Sequence, residues 1–166
     1  PASINNYLSQ TVLEGNKTDL SQRNTDGATP PVFFNPQSAI NLALNRPVTA
    51  SATASGSAAS NAVDGLAFTG WDAGGQPTAS LTVDLGSAVS FQRAVLKQLS
   101  AFSIGLVRLQ SSQDGVTFTD IPGSVSLLGT VGTINFKPTT ARYVRVQLWH
   151  IFQGPTGLRE LAVFPQ

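Results

Sequence analysis

Cysteine and methionine are absent, histidine occurs once, and Asp, Glu, Lys and Arg together make up only 11% of the 166 residues. Each shortage closes off a class of function. Without cysteine there is no disulfide, no thiol nucleophile and no thiolate metal site. A single histidine, His150, and no G-x-S-x-G stretch leave no recognisable Ser–His–Asp arrangement. The charge content is far below the roughly 25% usual in soluble domains. Formal net charge is +1, and Lys and Arg are scattered rather than clustered. A nucleic-acid interface, which is built on phosphate neutralisation, has little to draw on. No apolar run approaches the about 20 residues that span a bilayer. The chain opens Pro1-Ala2-Ser3 with no leader, as expected of a mature or excised piece of a longer protein.

Ser, Thr, Gly, Asn and Gln take the place of the missing charge, a composition common in extracellular β-proteins, so a secreted or cell-surface location is expected. The length suits one domain with room for an extension. Residues 1–40 read as that extension or linker. Ile4, Tyr7, Leu8 and Val12 fall near helical spacing between Ser3 and Gly15. Asn16-Lys17-Thr18 is a glycosylation sequon. Residues 17–28 are polar, Thr29-Pro30-Pro31 follows, and Val32-Phe33-Phe34 predicts a buried strand.

From Asn41 to residue 166 the pattern becomes that of an antiparallel β-sandwich or jelly roll. Leu42, Leu44, Val48 and Ala50 alternate around Pro47, which suits an edge strand. Residues 49–60 are nearly all Ser, Ala, Thr and Gly, and NAVDGLAFTGW (Asn61 to Trp71) follows as a turn. Leu81, Val83 and Leu85 recur at period two before Gly86. Strands are predicted over 91–100, 106–112, 116–121, 127–128, 134–136, 143–149 and 158–164, with Val144, Val146 and Leu148 inward and Arg145 and Gln147 outward. Asp114-Gly115 predicts a type I′ hairpin turn. Turns about every ten residues and about eight strands make the fold class all-β.

The landmarks NLALNRPVTAS, NAVDGLAFTGW, ASLTVDLGS, LQSSQDGVTFTDI, ARYVRVQL and LRELAVF occur in that order between Asn41 and Phe164. Together they resemble the discoidin domain, also called the coagulation factor 5/8 type C domain, whose fold family 32 carbohydrate-binding modules share. The resemblance implies a noncatalytic module that binds a glycan or polysaccharide within a larger secreted enzyme or surface protein. It also implies a structural calcium ion where the Asp-Gly (DG) loop meets the last strand. On the matching positions Asp64 supplies a carboxylate, Thr69 a hydroxyl and Glu160 a second carboxylate. Asn61, Leu66 and Arg159 supply backbone carbonyls, the hard oxygen donors calcium prefers. Leu66 departs from the polar residue often found there, which leaves its carbonyl usable. Gly65 lets the loop turn back on itself. A paired-carboxylate glycosidase needs two facing acids. Of the nine acids, Asp64 and Glu160 are the pair such a fold brings together, and the cation claims both.

Ligand recognition in this family falls on loops at one end of the sandwich, here residues 49–60, 71–78, 97–105 and 149–157. A sugar needs an aromatic plane and planar polar groups. Trp71, Asp72, Gln98, Phe102, Trp149 and His150 are the candidates, and Trp71 has a competing role as a core tryptophan. Asp72 stands where galactose-binding relatives carry histidine, and Gln98 near their arginine. Their His–Arg–Asn trio is missing, so no galactose site carries over. Two alternatives remain. A protein- or membrane-binding adhesion domain would use Phe102, Ile104, Trp149, Ile151 and Phe152 as apolar spikes, although few basic residues flank them to draw anionic lipid. An assembly module of a larger particle would use residues 1–40 as a docking arm.

Overall fold

The structure is a computed structural model, and it describes residues 40–100, 103–127, 131–150 and 154–165. The helix, sequon, linker and strand expected before residue 40 lie outside the described residues, as do Phe102, Leu128, Ile151 and Phe152. The elements are β1 (Val48–Ala50), a 3-10 turn (Ala59–Ala62), β2 (Trp71–Asp72), β3 (Thr78–Gln98), β4 (Ile104–Ser112), β5 (Thr119–Asp120), β6 (Ser126–Leu127), β7 (Val131–His150) and β8 (Gly157–Phe164). The strands form an 8-stranded sheet in the order β2-β8-β3-β7-β4-β5, with β1 on β3 and β6 on β4. All pairings are antiparallel.

Two long strands organise this sheet. β3 has 21 residues and β7 has 20. The segments 81–85 and 91–100, expected as separate strands, fall on the single strand β3, which stops at Gln98. The register slips between Asp84 and Val89. There the chain bends at Gly86 (φ 88°) without leaving its partner. Residues 134–136 and 143–149 merge into β7 for the same reason. The first half of β3 pairs with β1 and the end of β7, and its second half with the start of β7 and with β8. The sheet therefore folds over on itself. Leu81, Val83 and Leu85 from one half meet Ala94, Leu96, Leu161 and Val163 from the other in one apolar cluster. Val144, Val146 and Leu148 point into it as the period-two pattern requires. At the bend, Arg142 grips Asp84 through two bonds of 2.8 Å, Nε to Oδ1 and Nη2 to Oδ2. This charge-assisted fork holds the Asp84 carboxyl at about 2.

Two local expectations change. Leu42 to Asn45 form a turn rather than an edge strand. Asn41 accepts the N–H groups of Ala43 and Val163 on its Oδ1, both at 3.0 Å, and so draws the start of the domain onto β8. Residues 113–117 do not make a type I′ turn. Among the described residues Asn45 is the one non-glycine with positive φ, so Asp114 lacks the conformation such a turn requires. Instead Asp114 Oδ1 accepts the N–H groups of Val116 and Thr117, both at 2.8 Å. The loop is held by side-chain acceptors, and the second strand shortens to Thr119–Asp120.

Trp71 lies at the centre of the core. It is 0% exposed, and its Nε1 donates to Ala52 O at 2.9 Å, tethering the small-residue loop 49–60. Trp71→Ala should lower unfolding free energy by about 3–5 kcal/mol, read as a reduced urea midpoint. Trp71→Phe keeps an aromatic ring and most of the apolar volume but orphans the Ala52 carbonyl, and should fall between the two. Equal midpoints for wild type and Trp71→Ala would show that the indole does not carry the core.

Candidate functional site

The DG loop closes on side-chain acceptors. Asp64 Oδ1 receives the N–H of Leu66 at 2.9 Å and lies 2.9 Å from Thr69 Oγ1. Thr69 Oγ1 is also 3.2 Å from Leu66 O, so three oxygens converge within the loop. Gly65 adopts φ +74°, and a Cβ there would sit 3.0 Å from Leu44 Cδ1. Only glycine takes this turn without strain. Asn61 braces the loop through Nδ2, which donates to Gly70 O at 3.2 Å. Arg159 Nη1 reaches Phe68 O at 3.4 Å.

The last strand arrives beside this loop. β2 pairs with β8 through Trp71↔Leu158 and Asp72↔Gly157. Gly157 is obligatory there, because a Cβ would collide with the Trp71 carbonyl. Three residues further on, Glu160 faces the loop and accepts the N–H of Gly65. Its Oε2 is buried with no hydrogen-bond partner. Burial, with the Asp64 carboxylate adding repulsion against the Gly65 N–H and Lys97, raises the Glu160 carboxyl to about 7. Gly65, Leu66, Ala67, Lys97 and Glu160 line a cleft of about 320 Å³ here.

An orphaned, buried carboxylate oxygen next to a second carboxylate is an unfinished electrostatic arrangement of the kind a cation would complete. Among the described residues no three His, Asp or Glu side chains converge. The donors at hand are two carboxylates, a hydroxyl and backbone carbonyls, all oxygen. That set fits calcium and not the nitrogen and sulfur sites of zinc.

The ligand candidates do not form one site. Trp71 is in the core and can offer no face to a solute, which corrects its assignment as a ligand contact. Gln98 is corrected in the same way. It is 2% exposed, its Oε1 accepts Ile104 N–H at 2.8 Å and its Nε2 donates to Ile104 O at 3.2 Å, so its amide clamps residues 98–104. Ile104 is 0% exposed and is no apolar spike. Asp72 is half-buried with Oδ1 capping Gly74 N–H at 2.7 Å. Trp149 and His150 are both half-buried, but β7 runs through them. As strand neighbours they point to opposite sides and cannot share a ligand. The Trp149 ring carries the Arg108 guanidinium 5.3 Å from its centroid.

Three features escaped the sequence reading. Ser57 Oγ accepts Asp72 N–H at 2.9 Å and lies 3.3 Å from Gly70 O, stitching the small-residue loop to the DG loop. Serine in a Ser/Ala/Thr run gives no such signal. Phe68, treated as part of the turn, is 95% exposed, and Leu66 beside it is 58% exposed. The outward side of β3 and β7, read only as alternation, carries two clefts described below.

A folded-over antiparallel sheet with an oxygen-lined corner defines a β-sandwich binding module. The chain belongs to the F5/8 type C domain family, whose profile matches residues 47–160. A similar solved structure is chitosan-binding module 1 of a chitosanase/glucanase from Paenibacillus sp. IK-5, at 31% identity over 75% of this chain and 98% of that one, with a TM-score of 0.68. Chitosan-binding module 2 from that source, solved with chitotriose, is 30% identical over 75% of this chain and 99% of that one, TM-score 0.65. The family 32 module of AlyQ, in complex with 4,5-unsaturated mannuronic acid, is 26% identical over 72% of this chain and 95% of that one, TM-score 0.63. No curated protein matches the chain.

The raised Glu160 carboxyl gives a pH test. A folded acid near 7 against the ordinary 4.5 of the free side chain binds its proton more tightly folded than unfolded. Stability of cation-free protein should therefore decline as pH rises from about 4.5 to 7. Below that window Asp84 works in the opposite sense. Its contribution is present above about 3.8 and lost as pH falls toward about 2. In chelator-treated protein, Tm should drop between pH 5 and pH 7.5, and Glu160→Gln should flatten the drop. A wild-type profile that is level across this range would contradict the geometry of the corner.

Proposed function

We propose that the chain is a noncatalytic carbohydrate-binding module, part of a larger secreted or surface protein, with a structural calcium ion at the DG corner. The observation that carries the glycan reading is its similarity to two chitosan-binding modules at 30–31% identity, across 98–99% of their length. Calcium would be held by the Asp64 and Glu160 carboxylates, the Thr69 hydroxyl and backbone carbonyls of Asn61, Leu66 and Arg159. When bound it supplies charge neutralisation and a crosslink. Asp64 and Thr69 shape the loop, and Gly65 N–H orients Glu160 toward it. Residues 1–40 are an extension outside this module, and other domains of the parent protein are its natural neighbours.

A second reading, contact with protein or membrane, draws on one observation: the 95% exposed Phe68 beside exposed Leu66. Sedimentation with phosphatidylserine vesicles separates the two, since a glycan module stays in the supernatant.

Titration of the protein with chitosan oligosaccharides and a panel of plant and bacterial polysaccharides tests the first reading. The expected Kd lies between about 1 µM and 1 mM. Calcium should raise Tm by several degrees in wild type and not in Asp64→Asn. Flat titrations across the panel would overturn the glycan assignment, and a calcium-indifferent melt of demetallated protein would overturn the ion.

A further inference from the structure

Cross-strand register sorts the outward side chains of the β1–β3–β7 region into rows. Thr78 faces Trp149, Ser80 faces Gln147, Thr82 faces Arg145 and Asp84 faces Tyr143. From β1, Thr49 faces Thr82. Each alternates with a buried neighbour, such as Leu81, Val83, Val146 or Leu148, so all lie on the outer side of the sheet. Two clefts sit on that side. One, of about 380 Å³, is lined by Ser51, Ser80, Gln147 and Trp149 among others. The next, of about 320 Å³, is lined by Thr49, Thr82, Asp84 and Tyr143 among others. Ser80 and Thr82 are consecutive outward residues of β3, so the clefts follow one another along the strand. Trp149 and Tyr143 stand toward the two ends, separated by about 20 Å at the rise of an extended strand.

The arginines of this face are already engaged within it, and the Asp114 carboxylate at the second cleft is taken up by the N–H groups of Val116 and Thr117. Arg142 is locked to Asp84, as described, and Arg108 to Asp120 at 3.2 Å. Arg145 donates from Nε to Thr82 Oγ1 at 3.0 Å and lies 3.5 Å from the Phe118 ring centroid. What remains open is mainly hydroxyl and amide surface beside the half-buried Trp149, since the Tyr143 ring is packed against Gly115. Such a lining complements an uncharged, hydroxyl-rich chain and gives a polyanion no unpaired cation to bind.

We infer that this furrow binds a neutral linear polysaccharide lengthwise, several sugar units at a time. Trp149 stacks on a unit toward one end through the part of its ring that Arg108 leaves open, and Ser51, Ser80 and Gln147 read ring hydroxyls beside it. The inference rests on the glycan-binding reading and deepens it by naming the surface, the charge and the extended form of the ligand.

The test titrates the full chain with di- and hexasaccharides of the cello-, xylo- and N-acetylchito- series, with an oligouronate as the charged arm, and maps backbone amide shifts by NMR. The expected result is a neutral hexasaccharide bound at least about tenfold more tightly than its disaccharide. Its shifts should centre on Ser51, Ser80 and Gln147. Ser80→Trp, which fills the furrow from an outward position, should weaken hexasaccharide binding about tenfold or more. Gln147→Ala, a simple truncation, should weaken it in the same direction, while Asp72→Ala at the sandwich end should leave it unchanged. Hexasaccharide binding with shifts confined to residues 72–76 and 154–157, or indifferent to both furrow variants, overturns the furrow and leaves the carbohydrate reading standing. Preference for the oligouronate overturns the neutral-ligand assignment. No binding in any of these arms overturns the furrow, and the glycan reading falls with it only if the chitosan oligosaccharides and the wider polysaccharide panel are flat as well.

Discussion

The corner of this protein that gathers its oxygens depends on a ladder of two residues. Trp71 and Asp72 pair with Leu158 and Gly157, and the pairing is possible because Gly157 has no side chain to strike the Trp71 carbonyl. The same tryptophan is sunk in the core. The end of the DG loop is therefore anchored from inside by apolar burial and from the side by backbone hydrogen bonds. Glu160 is carried to the loop by this geometry, where it accepts the Gly65 N–H. Its carboxylate is pushed toward protonation by burial and by Asp64. The fold brings together two groups that repel each other, which is the condition under which a cation is worth most to stability.

A chain with 11% charged residues manages its surface by pairing the few charges it has. Arg142 with Asp84 and Arg108 with Asp120 are neighbours across strands, and Arg145 lies on an aromatic ring. Exposed pairs of this kind add little stability individually. Their effect here is to leave the intervening surface uncharged without leaving it apolar. Hydroxyls from Ser and Thr then present donors and acceptors at the regular spacing of a pleated sheet, which suits a ligand with repeated hydroxyls.

Much of this was legible in the residues. The alternation at Val144, Val146 and Leu148 reports a half-buried strand directly, because side-chain direction in a strand depends only on parity. The DG loop was readable because few residue types tolerate its geometry, Gly65 above all. The sequence was least informative where one residue type fits two roles. Trp71 and Gln98 carry rings and amides suited to sugars, yet both are enclosed, one filling the core and one bonding to the backbone of Ile104. Nothing local separates a tryptophan that packs from one that stacks. The type I′ turn failed for a related reason. Asp114-Gly115 satisfies the dipeptide rule, but an aspartate can also accept backbone N–H groups, and here that alternative won.

β3 connects the two regions of interest. It begins at Thr78, which pairs with Trp149, and near its end Lys97 pairs with Glu160. Along the way it bends at Gly86, where the Asp84–Arg142 fork fixes the angle. The outer furrow belongs to β1, the first half of β3 and the end of β7, whereas the DG corner belongs to β2, the second half of β3 and β8. No side chain lining the first is shared with the second. An ion at the corner would therefore act on the furrow only through the rigidity of β3, and that strand is paired on both sides across its second half. A change at the corner is absorbed in the ladder before it reaches Thr82. This separation argues that a cation bound there would govern how firmly the sandwich closes, and that recognition on the sheet face would be governed by its own side chains.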